Sequence, residues 1–146
     1  NVRIHFIGRV DELPGNLPNE LHAAEERTKN NTGVRFNVAV NYGGRDEIVT
    51  AVKNIASEVQ SGDLSIDKID DKVIDDNLYT KDLPTVDLMI RTSGDIRLSN
   101  FLLWQAAYAE FWFTKTNWPD FSSEEFLQAI VDFQKRDRRF GGLSSK

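Results

Sequence analysis

The 146-residue sequence lacks cysteine altogether and has one methionine and four prolines. Without cysteine, disulfide-stapled folds and zinc–thiolate sites are excluded, and a cytoplasmic location is favoured. Long hydrophobic runs are missing too, because Gln105 and Glu110 interrupt the longest apolar stretch, residues 101–113, which is shorter than the roughly 20 residues that span a bilayer. Basic charge is not in excess: 18 Lys and Arg against 23 Asp and Glu give a net charge of −5, which argues against nucleic-acid binding.

What the sequence does contain is enough apolar surface for one core. Hydrophobic residues make up 40% of the chain and charged residues 28%, a balance typical of a globular protein, so we expect a single domain over residues 1–146. The chain opens directly on a strand-like run, with neither an initiator Met nor a leader. We therefore expect it to be part of a longer polypeptide.

The hydrophobic periodicity predicts alternating strands and helices. Apolar and polar residues alternate over residues 2–7 and 34–40, and a helix capped by Asn16 is expected between these two strands. The next helix is expected to be capped by Asp46 and to end at Gly62. An acidic connector with short helical pieces follows, over residues 58–87.

The last third of the chain continues this alternation. Strands are predicted at residues 86–90 and 109–113, and Ser122 with Glu125 forms a capping box for a last helix. The residues predicted to be buried on that helix are Phe126, Leu127, Ile130, Val131 and Phe133. The whole pattern favours an α/β fold with a central, mostly parallel sheet and helices on both faces.

Ligands of such sheets bind beyond the carboxyl ends of the strands, so the loops that follow strands are the candidate sites. The first such loop is Tyr42-Gly43-Gly44-Arg45, whose glycines would let backbone amides approach an anion. A glycine pair at a turn is common, and this signal is weak. His5, on the first strand, is interpreted as structural because no second metal-type residue lies at ligand spacing.

The loop at residues 91–100 is richer in anion-binding groups. Arg91 and Arg97 flank a turn rich in hydroxyls, and Ser99 is placed to cap a following helix and to donate to a phosphate. Two guanidinium forks with a hydroxyl suit a diphosphate. The alternative is that Arg91 and Arg97 merely form ion pairs with Asp87 and Asp95, and spacing does not separate the two interpretations.

Glu110 is the one carboxylate in an apolar strand, so it is either paired structurally or helps to hold a divalent cation. A basic cluster, Lys135, Arg136, Arg138 and Arg139, lies near the carboxyl end of the last helix, where cations are favoured in any case.

Several long motifs resemble those of the cis-prenyltransferases, and specifically the bacterial undecaprenyl diphosphate synthases. They are Asn41-Tyr42-Gly43-Gly44-Arg45, the run from Arg91 to Gln105, Tyr108-Ala109-Glu110, Trp118-Pro119-Asp120-Phe121 and Arg138-Arg139-Phe140-Gly141-Gly142. The family usually has Glu where this chain has Asp95, and the shorter arm is expected to lose contact with a neighbouring water or metal network.

The resemblance implies a homodimeric, Mg²⁺-dependent transferase that condenses isopentenyl diphosphate onto an allylic diphosphate such as farnesyl diphosphate, forming cis double bonds. Its product partitions to membranes, so peripheral membrane association is an alternative to a purely cytoplasmic location. By resemblance, Arg91, Arg97, Ser99 and the main chain of Leu98 hold isopentenyl diphosphate. Glu110 helps to hold Mg²⁺, and Arg139 and Gly141 belong to an Arg-x-Gly motif that reaches the partner subunit's site.

The family's amino-terminal part, with its Asp-Gly-Asn-Gly-Arg-Trp loop and catalytic Asp, has no counterpart in these residues, so no catalytic residue is assigned. The resemblance therefore implies a carboxy-terminal part that is inactive alone. Two alternatives are kept: a non-catalytic partner subunit of a heteromeric enzyme, and a generic phosphate-binding α/β module.

Overall fold

A computed structural model of the chain describes residues 1–136. The described part alternates strands and helices in the order β1 (Arg3–Ile7), α1 (Leu17–Thr28), β2 (Arg35–Ala39), α2 (Gly44–Ser61), α3 (Asp71–Asn77), β3 (Leu88–Arg91), β4 (Glu110–Phe113) and α4 (Ser123–Gln134). Short 3-10 helices lie at Val10–Glu12, Ile66–Lys68 and Trp118–Asp120. The predicted α/β class is confirmed.

The chain divides into two compact units, Asn1–Leu83 and Pro84–Lys146. Within what is described, each unit contains one two-stranded sheet, β1–β2 in the first and β3–β4 in the second, and both pairs are parallel. The predicted parallel pairing is thus confirmed within each unit, while a single domain over the whole chain stays a prediction.

In the first unit, α1 covers one edge of β1. Strand β1 bonds to β2 through alternate residues, as when Arg3 N–H donates to the carbonyl of Val34 at 2.9 Å. The N–H groups that face the other way are satisfied by α1: Ile4 N–H donates to Thr28 Oγ1 at 3.1 Å and Phe6 N–H to Glu25 Oε1 at 2.8 Å. Side chains of α1 therefore cap a strand edge that would otherwise be open to pairing.

The carboxyl end of β1 lies so close to that of β2 that only glycine fits at position 8. Gly8 has φ of +116°, and a Cβ there would lie 2.2 Å from the carbonyl oxygen of Val40. This close approach aligns the two loops that follow β1 and β2.

Helix α2 begins at Gly44, with Gly43 as its N-cap, and not at Asp46 as predicted. The Asp46 side chain instead forms an ion pair with Arg9, in the loop that follows β1. The predicted end at Gly62 is confirmed: its φ is +86° and its N–H donates to the carbonyls of Glu58 and Val59. The buried apolar residues of this unit are Ile7, Val10, Ala51, Ile55 and Leu78.

In the second unit, the Ser122 half of the predicted capping box is present, since Ser122 Oγ accepts from Glu125 N–H at 3.2 Å. The Glu125 carboxylate accepts hydroxyl hydrogen bonds from Thr114 and Thr116, at 2.7 and 2.8 Å, just beyond β4. One glutamate thus fixes the start of α4 against the end of β4.

The predicted buried face of α4 is wrong in part. Phe126, Leu127 and Val131 are 47%, 59% and 42% exposed, whereas Ala129 is fully buried. Periodicity identifies an apolar stripe but does not say which part of it another element covers. Among the described residues, no helix combines the length and apolar character that a membrane crossing requires.

Candidate functional site

The loop after β3 brings three predicted site residues together. Arg91, the last residue of β3, donates from Nη1 to Ser99 Oγ at 3.2 Å and from Nη2 to Asp95 Oδ2 at 3.0 Å. Arg97 Nη2 donates to the same Asp95 oxygen at 2.6 Å. Two cations and a hydroxyl therefore converge on one loop, as the sequence predicts.

Ion pairing with Asp95, the alternative interpretation, is also present for both arginines. The side chain of Asp95 reaches both guanidinium groups, while its loss of contact with a water or metal network stays a prediction. Arg97 remains 64% exposed, so its guanidinium is open to an incoming anion as well. Pairing and anion binding are compatible in this geometry.

The backbone of this loop is strained. Six non-glycine residues of the described chain have positive φ, and four of them lie here: Ser93 (69°), Ser99 (49°), Asn100 (64°) and Leu102 (47°). Each such residue costs on the order of 1–3 kcal/mol and persists where the surroundings impose it, which is common at functional sites. The strain supports a role for the loop beyond connecting two strands.

The segment directly after β4 holds the first half of the loop in place. Gly94 N–H donates to the carbonyl of Thr114 and Ser93 N–H to that of Thr116, both at 2.8 Å. The helix predicted after Ser99 is wrong: residues 99–108 form turns and bends. The carbonyl of Leu98 accepts from Phe101 N–H at 3.1 Å within the first of these turns.

Glu110 lies away from this cluster, at the opposite end of the β3–β4 ladder. It is the first residue of β4 and pairs with Leu88, whereas Arg91 pairs with Phe113. Its Oε2 accepts from Arg136 Nη1 at 2.8 Å, and the same nitrogen donates to the carbonyl of Phe111 at 2.8 Å. Of the two roles predicted for Glu110, the structural ion pair is therefore present.

Mg²⁺ takes only one or two protein carboxylates beside phosphate oxygens and waters. Glu110 could supply one of these, and the described residues contain no cluster of three His, Cys, Asp or Glu that could hold a metal. Three residue steps of about 3.3 Å separate the levels of Glu110 and Arg91 along the strands. Within the described residues the Glu110 carboxylate is thus paired with Arg136 and lies at a different level of the ladder from the arginine cluster.

The weaker candidate loop, Tyr42-Gly43-Gly44-Arg45, is braced by a buried carboxylate that the sequence pattern did not reveal. Glu47 is 1% exposed. Its Oε2 accepts from the Tyr42 hydroxyl at 2.5 Å and its Oε1 from Tyr79 N–H at 2.8 Å. Glu47 therefore ties the loop and the start of α2 to the segment after α3.

A second cluster missed from sequence surrounds Glu25, and it contains both histidines of the chain. His5 Nδ1 lies 2.6 Å from Glu25 Oε1, His22 Nδ1 3.3 Å from Glu25 Oε2, and His22 Nε2 2.9 Å from Asp11 Oδ1. The hydrogen bond to Asp11, followed by that to Glu25, raises the pKa of His22. Burial opposes ionisation of Glu25, but the hydrogen bonds from Phe6 N–H, His22 and His5 outweigh it and lower the Glu25 pKa. The interpretation of His5 as structural agrees with this geometry.

The remaining predicted site residues, Arg139 and Gly141, lie outside the described residues. The arginine and serine part of the predicted site is thus brought together in one loop, Glu110 is placed elsewhere, and the Arg-x-Gly motif is not described.

Comparison with known proteins assigns the chain to a class. The prenyltransferase family described as "Putative undecaprenyl diphosphate synthase" matches residues 1–141. The chain therefore belongs to this family.

Two relatives illustrate the match. An isoprenyl transferase of Heliobacterium mobile is 56% identical over 142 residues, which are 97% of this chain and 55% of the relative. The ditrans,polycis-undecaprenyl-diphosphate synthase ((2E,6E)-farnesyl-diphosphate specific) of Pasteurella multocida is 49% identical over 97% of the chain and 59% of the relative. The chain thus spans little more than half the length of the curated relatives it matches.

Solved structures agree. Lavandulyl diphosphate synthase from Lavandula x intermedia, in complex with dimethylallyl diphosphate, matches with a TM-score of 0.93 and 39% identity, over 97% of this chain and 61% of that one. A probable undecaprenyl diphosphate synthase from Campylobacter jejuni matches with a TM-score of 0.82 and 37% identity, over 97% and 64%. The chain accordingly shares the fold of these prenyl diphosphate synthases.

Proposed function

We propose that the chain supplies the isopentenyl diphosphate site of a cis-prenyltransferase of the undecaprenyl diphosphate synthase type. The observation that carries this proposal is the convergence of Arg91, Arg97 and Ser99 in one strained loop at the carboxyl end of β3. Family membership supports the reaction class, and the loop supports the ligand class, because guanidinium forks match the oxygens of a diphosphate.

In this proposal the residues of the chain bind and orient the diphosphate that stays intact. Arg91 and Arg97 donate charge-assisted hydrogen bonds to its oxygens, and the Ser99 hydroxyl donates a further one. Holding the nucleophilic double bond in place converts a bimolecular encounter into an intramolecular one, which is a large part of the rate acceleration. The allylic partner loses its own diphosphate in the same step.

Mg²⁺, the cofactor expected from the resemblance, would neutralise negative charge that develops on the departing diphosphate. The described residues do not place Glu110 beside the arginine cluster, so its contact to Mg²⁺ rests on the resemblance alone. No step of the mechanism proposed for this chain depends on it.

The properties of the whole enzyme are further proposals, since the chain spans 55% and 59% of the two relatives described above. They are farnesyl diphosphate as primer, an undecaprenyl product that partitions to the membrane and serves as a cell-wall lipid carrier, a homodimer in which Arg139 and Gly141 reach the partner subunit's site, and a cytoplasmic or peripheral location. The alternative, a non-catalytic partner subunit, predicts the same fold with no turnover in the full-length gene product.

Steady-state kinetics of the full-length gene product test the proposal. Arg97→Ala should raise the KM for isopentenyl diphosphate by roughly tenfold or more, because a hydrogen bond to a charged group contributes about 1.5–3 kcal/mol. Arg27→Ala is the control: Arg27 is an exposed arginine of α1, and its loss changes the charge equally. An unchanged KM in Arg97→Ala, at an unchanged melting temperature, would remove the loop from the substrate site.

A further inference from the structure

Asp95 has an unusual position between the two arginines of the candidate site. A single carboxylate oxygen, Oδ2, accepts from Arg91 Nη2 at 3.0 Å and from Arg97 Nη2 at 2.6 Å. Arg91 also reaches Ser99 from its other terminal nitrogen. Asp95 therefore links the two arginines directly, and Ser99 is linked to them through Arg91.

The two arginines alone would repel one another. Two like charges a few ångströms apart at a protein surface interact by several kcal/mol at the effective dielectric of such sites. Long, exposed arginine side chains would relieve that repulsion by swinging into solvent, and holding them together would then cost side-chain entropy. A carboxylate between the guanidinium groups removes the repulsion and limits both side chains to converging conformations.

The Asp95 contacts leave most of the binding capacity of the arginines available. Each guanidinium has about five N–H donors. Contacts within the described residues use two donors of Arg91 and one of Arg97. The remaining donors are enough in number to serve a diphosphate while the carboxylate stays bound, and the two arginines together with Asp95 keep a net charge of +1.

The backbone before Asp95 is fixed by the segment that follows strand β4. The preceding residues, Ser93 and Gly94, are bonded to the carbonyls of Thr116 and Thr114 at 2.8 Å. Gly94 has φ of +75°, so the chain turns sharply just before Asp95. The carboxylate thus approaches the arginines from a rigid support, while the arginine side chains themselves are long and partly exposed.

We propose that Asp95 is a positioning residue for the diphosphate site, which acts by holding the guanidinium groups of Arg91 and Arg97 in a converging arrangement before substrate arrives. The inference rests on the proposed function of this loop. It assigns to Asp95 no contact with substrate and no part in the chemical step. Asp95 thus preorganises a binding site for an anion, although its own side chain is also an anion.

The test uses Asp95→Asn and Asp95→Glu in the full-length gene product, with isopentenyl diphosphate as the varied substrate. Asp95→Asn keeps the size of the side chain and removes its charge. We expect the KM for isopentenyl diphosphate to rise about tenfold with kcat within about twofold of the parent, because the effect is on binding. Asp95→Glu keeps the negative charge that Asp95→Asn removes, and its KM should stay within about threefold of the parent.

Asp76→Asn is the matched control. Asp76 forms an exposed ion pair with Lys72 on α3, outside this loop, and its substitution changes the net charge by the same amount. Melting temperatures of all variants separate loss of fold from loss of binding. A KM for Asp95→Asn that falls, or that matches the Asp76→Asn control, overturns the proposal; a fall would show that the carboxylate competes with substrate.

The double variant Asp95→Asn/Arg97→Ala distinguishes failure of this inference from failure of the proposed function. If Asp95 acts through Arg97, Asp95→Asn should raise the KM much less in the Arg97→Ala background than in the parent. If Arg97→Ala alone leaves the KM unchanged, the substrate site itself is wrong. If Arg97→Ala raises the KM and Asp95→Asn does not, the site stands and only the positioning role is overturned.

Discussion

Arg91 and Glu110 lie at opposite ends of the same parallel ladder, because Arg91 pairs with Phe113 and Glu110 with Leu88. The family resemblance assigns Arg91 to isopentenyl diphosphate and Glu110 to Mg²⁺. Within one chain the structure separates them by about three residue steps, and gives Glu110 a different neighbour, Arg136, at 2.8 Å. Glu110 is therefore the residue whose role most needs an experiment.

Glu110→Gln and Arg136→Met separate the two roles of this pair. Both variants break the ion pair, but only Glu110→Gln removes an anionic oxygen that could bind a cation. If Glu110 contacts Mg²⁺, as the resemblance implies, Glu110→Gln should raise the Mg²⁺ concentration needed for half-maximal activity severalfold, and Arg136→Met should not. The measurement is a Mg²⁺ titration of activity in the full-length gene product.

The control for that titration is stability. Glu110 and Arg136 are both about one-third exposed, so loss of the pair should lower the free energy of unfolding by no more than about 1 kcal/mol in either variant. Metal curves for Glu110→Gln that overlay those of the parent would leave the ion pair with Arg136 as the only supported role.

Regular elements of this fold follow from local patterns, whereas the exception at the start of α2 involves a contact that is distant in sequence. The period-two runs became β1 and β2, and Gly62 ends α2 because the left-handed backbone there suits glycine. Asp46 was predicted to cap α2, yet its carboxylate binds Arg9, a residue 37 positions earlier. A helix cap is a local sequence signal, and here the carboxylate forms an ion pair with an arginine that is distant in sequence.

The candidate site, too, could be predicted from the sequence only in part. The residue types of the loop at 91–100 indicated a diphosphate, and the structure brings Arg91, Arg97 and Ser99 together. Sequence spacing offered Asp95 as an ion-pair partner of the arginines, but it did not reveal that one oxygen of Asp95 binds both of them, because spacing carries no information on side-chain geometry. Nor did it reveal the exposed part of α4, because the apolar period does not identify a covering partner.

Because of the Glu25 cluster, we expect the stability of the first unit to decrease both when the pH rises and when it falls. The pKa of His22 is raised, so its contribution is full below the ordinary histidine pKa of about 6.5 and is lost as pH rises through the folded value. The pKa of Glu25 is lowered, so its contribution is full above about 4.3 and is lost as pH falls through the folded value. We therefore expect the docking of α1 on β1 to be most stable between these two limits.

Amide hydrogen exchange at Phe6 reports on this cluster, because Phe6 N–H donates directly to Glu25. Its protection, corrected for intrinsic exchange, should fall from about pH 6 to pH 8 in the parent. The fall should be smaller in His22→Gln, whereas Lys29→Gln, which breaks an exposed pair with Glu26, should behave like the parent. Identical profiles for the parent and His22→Gln would contradict the assignment.

Gly8→Ala should destabilise the first unit strongly. The added Cβ would meet the carbonyl oxygen of Val40 at 2.2 Å, and φ of +116° disfavours any side chain. Strain and overpacking together should lower the free energy of unfolding by at least about 2 kcal/mol. Gly15→Ala is the control: φ is +65° there, but nothing lies within 4 Å, so only backbone strain of about 1 kcal/mol is expected. Equal losses for the two variants in chemical denaturation would show that the β1–β2 approach adjusts freely.

The last prediction is that the 146-residue chain by itself binds isopentenyl diphosphate and does not transfer a prenyl group. Transfer needs a second diphosphate site and a means of stabilising the leaving diphosphate. The described residues offer one loop where two arginines and a serine converge, and no cluster of three metal-ligating side chains. Incorporation of labelled isopentenyl diphosphate into lipid-extractable product, primed with farnesyl diphosphate, should be at background for the 146 residues and measurable for the full-length gene product.

Binding is measured separately, by calorimetry of the 146 residues with isopentenyl diphosphate. The affinity should be weaker in Arg97→Ala than in Arg27→Ala. Turnover by the 146 residues alone would show that they contain a complete site, whereas no binding at all would contradict the assignment of Arg91, Arg97 and Ser99.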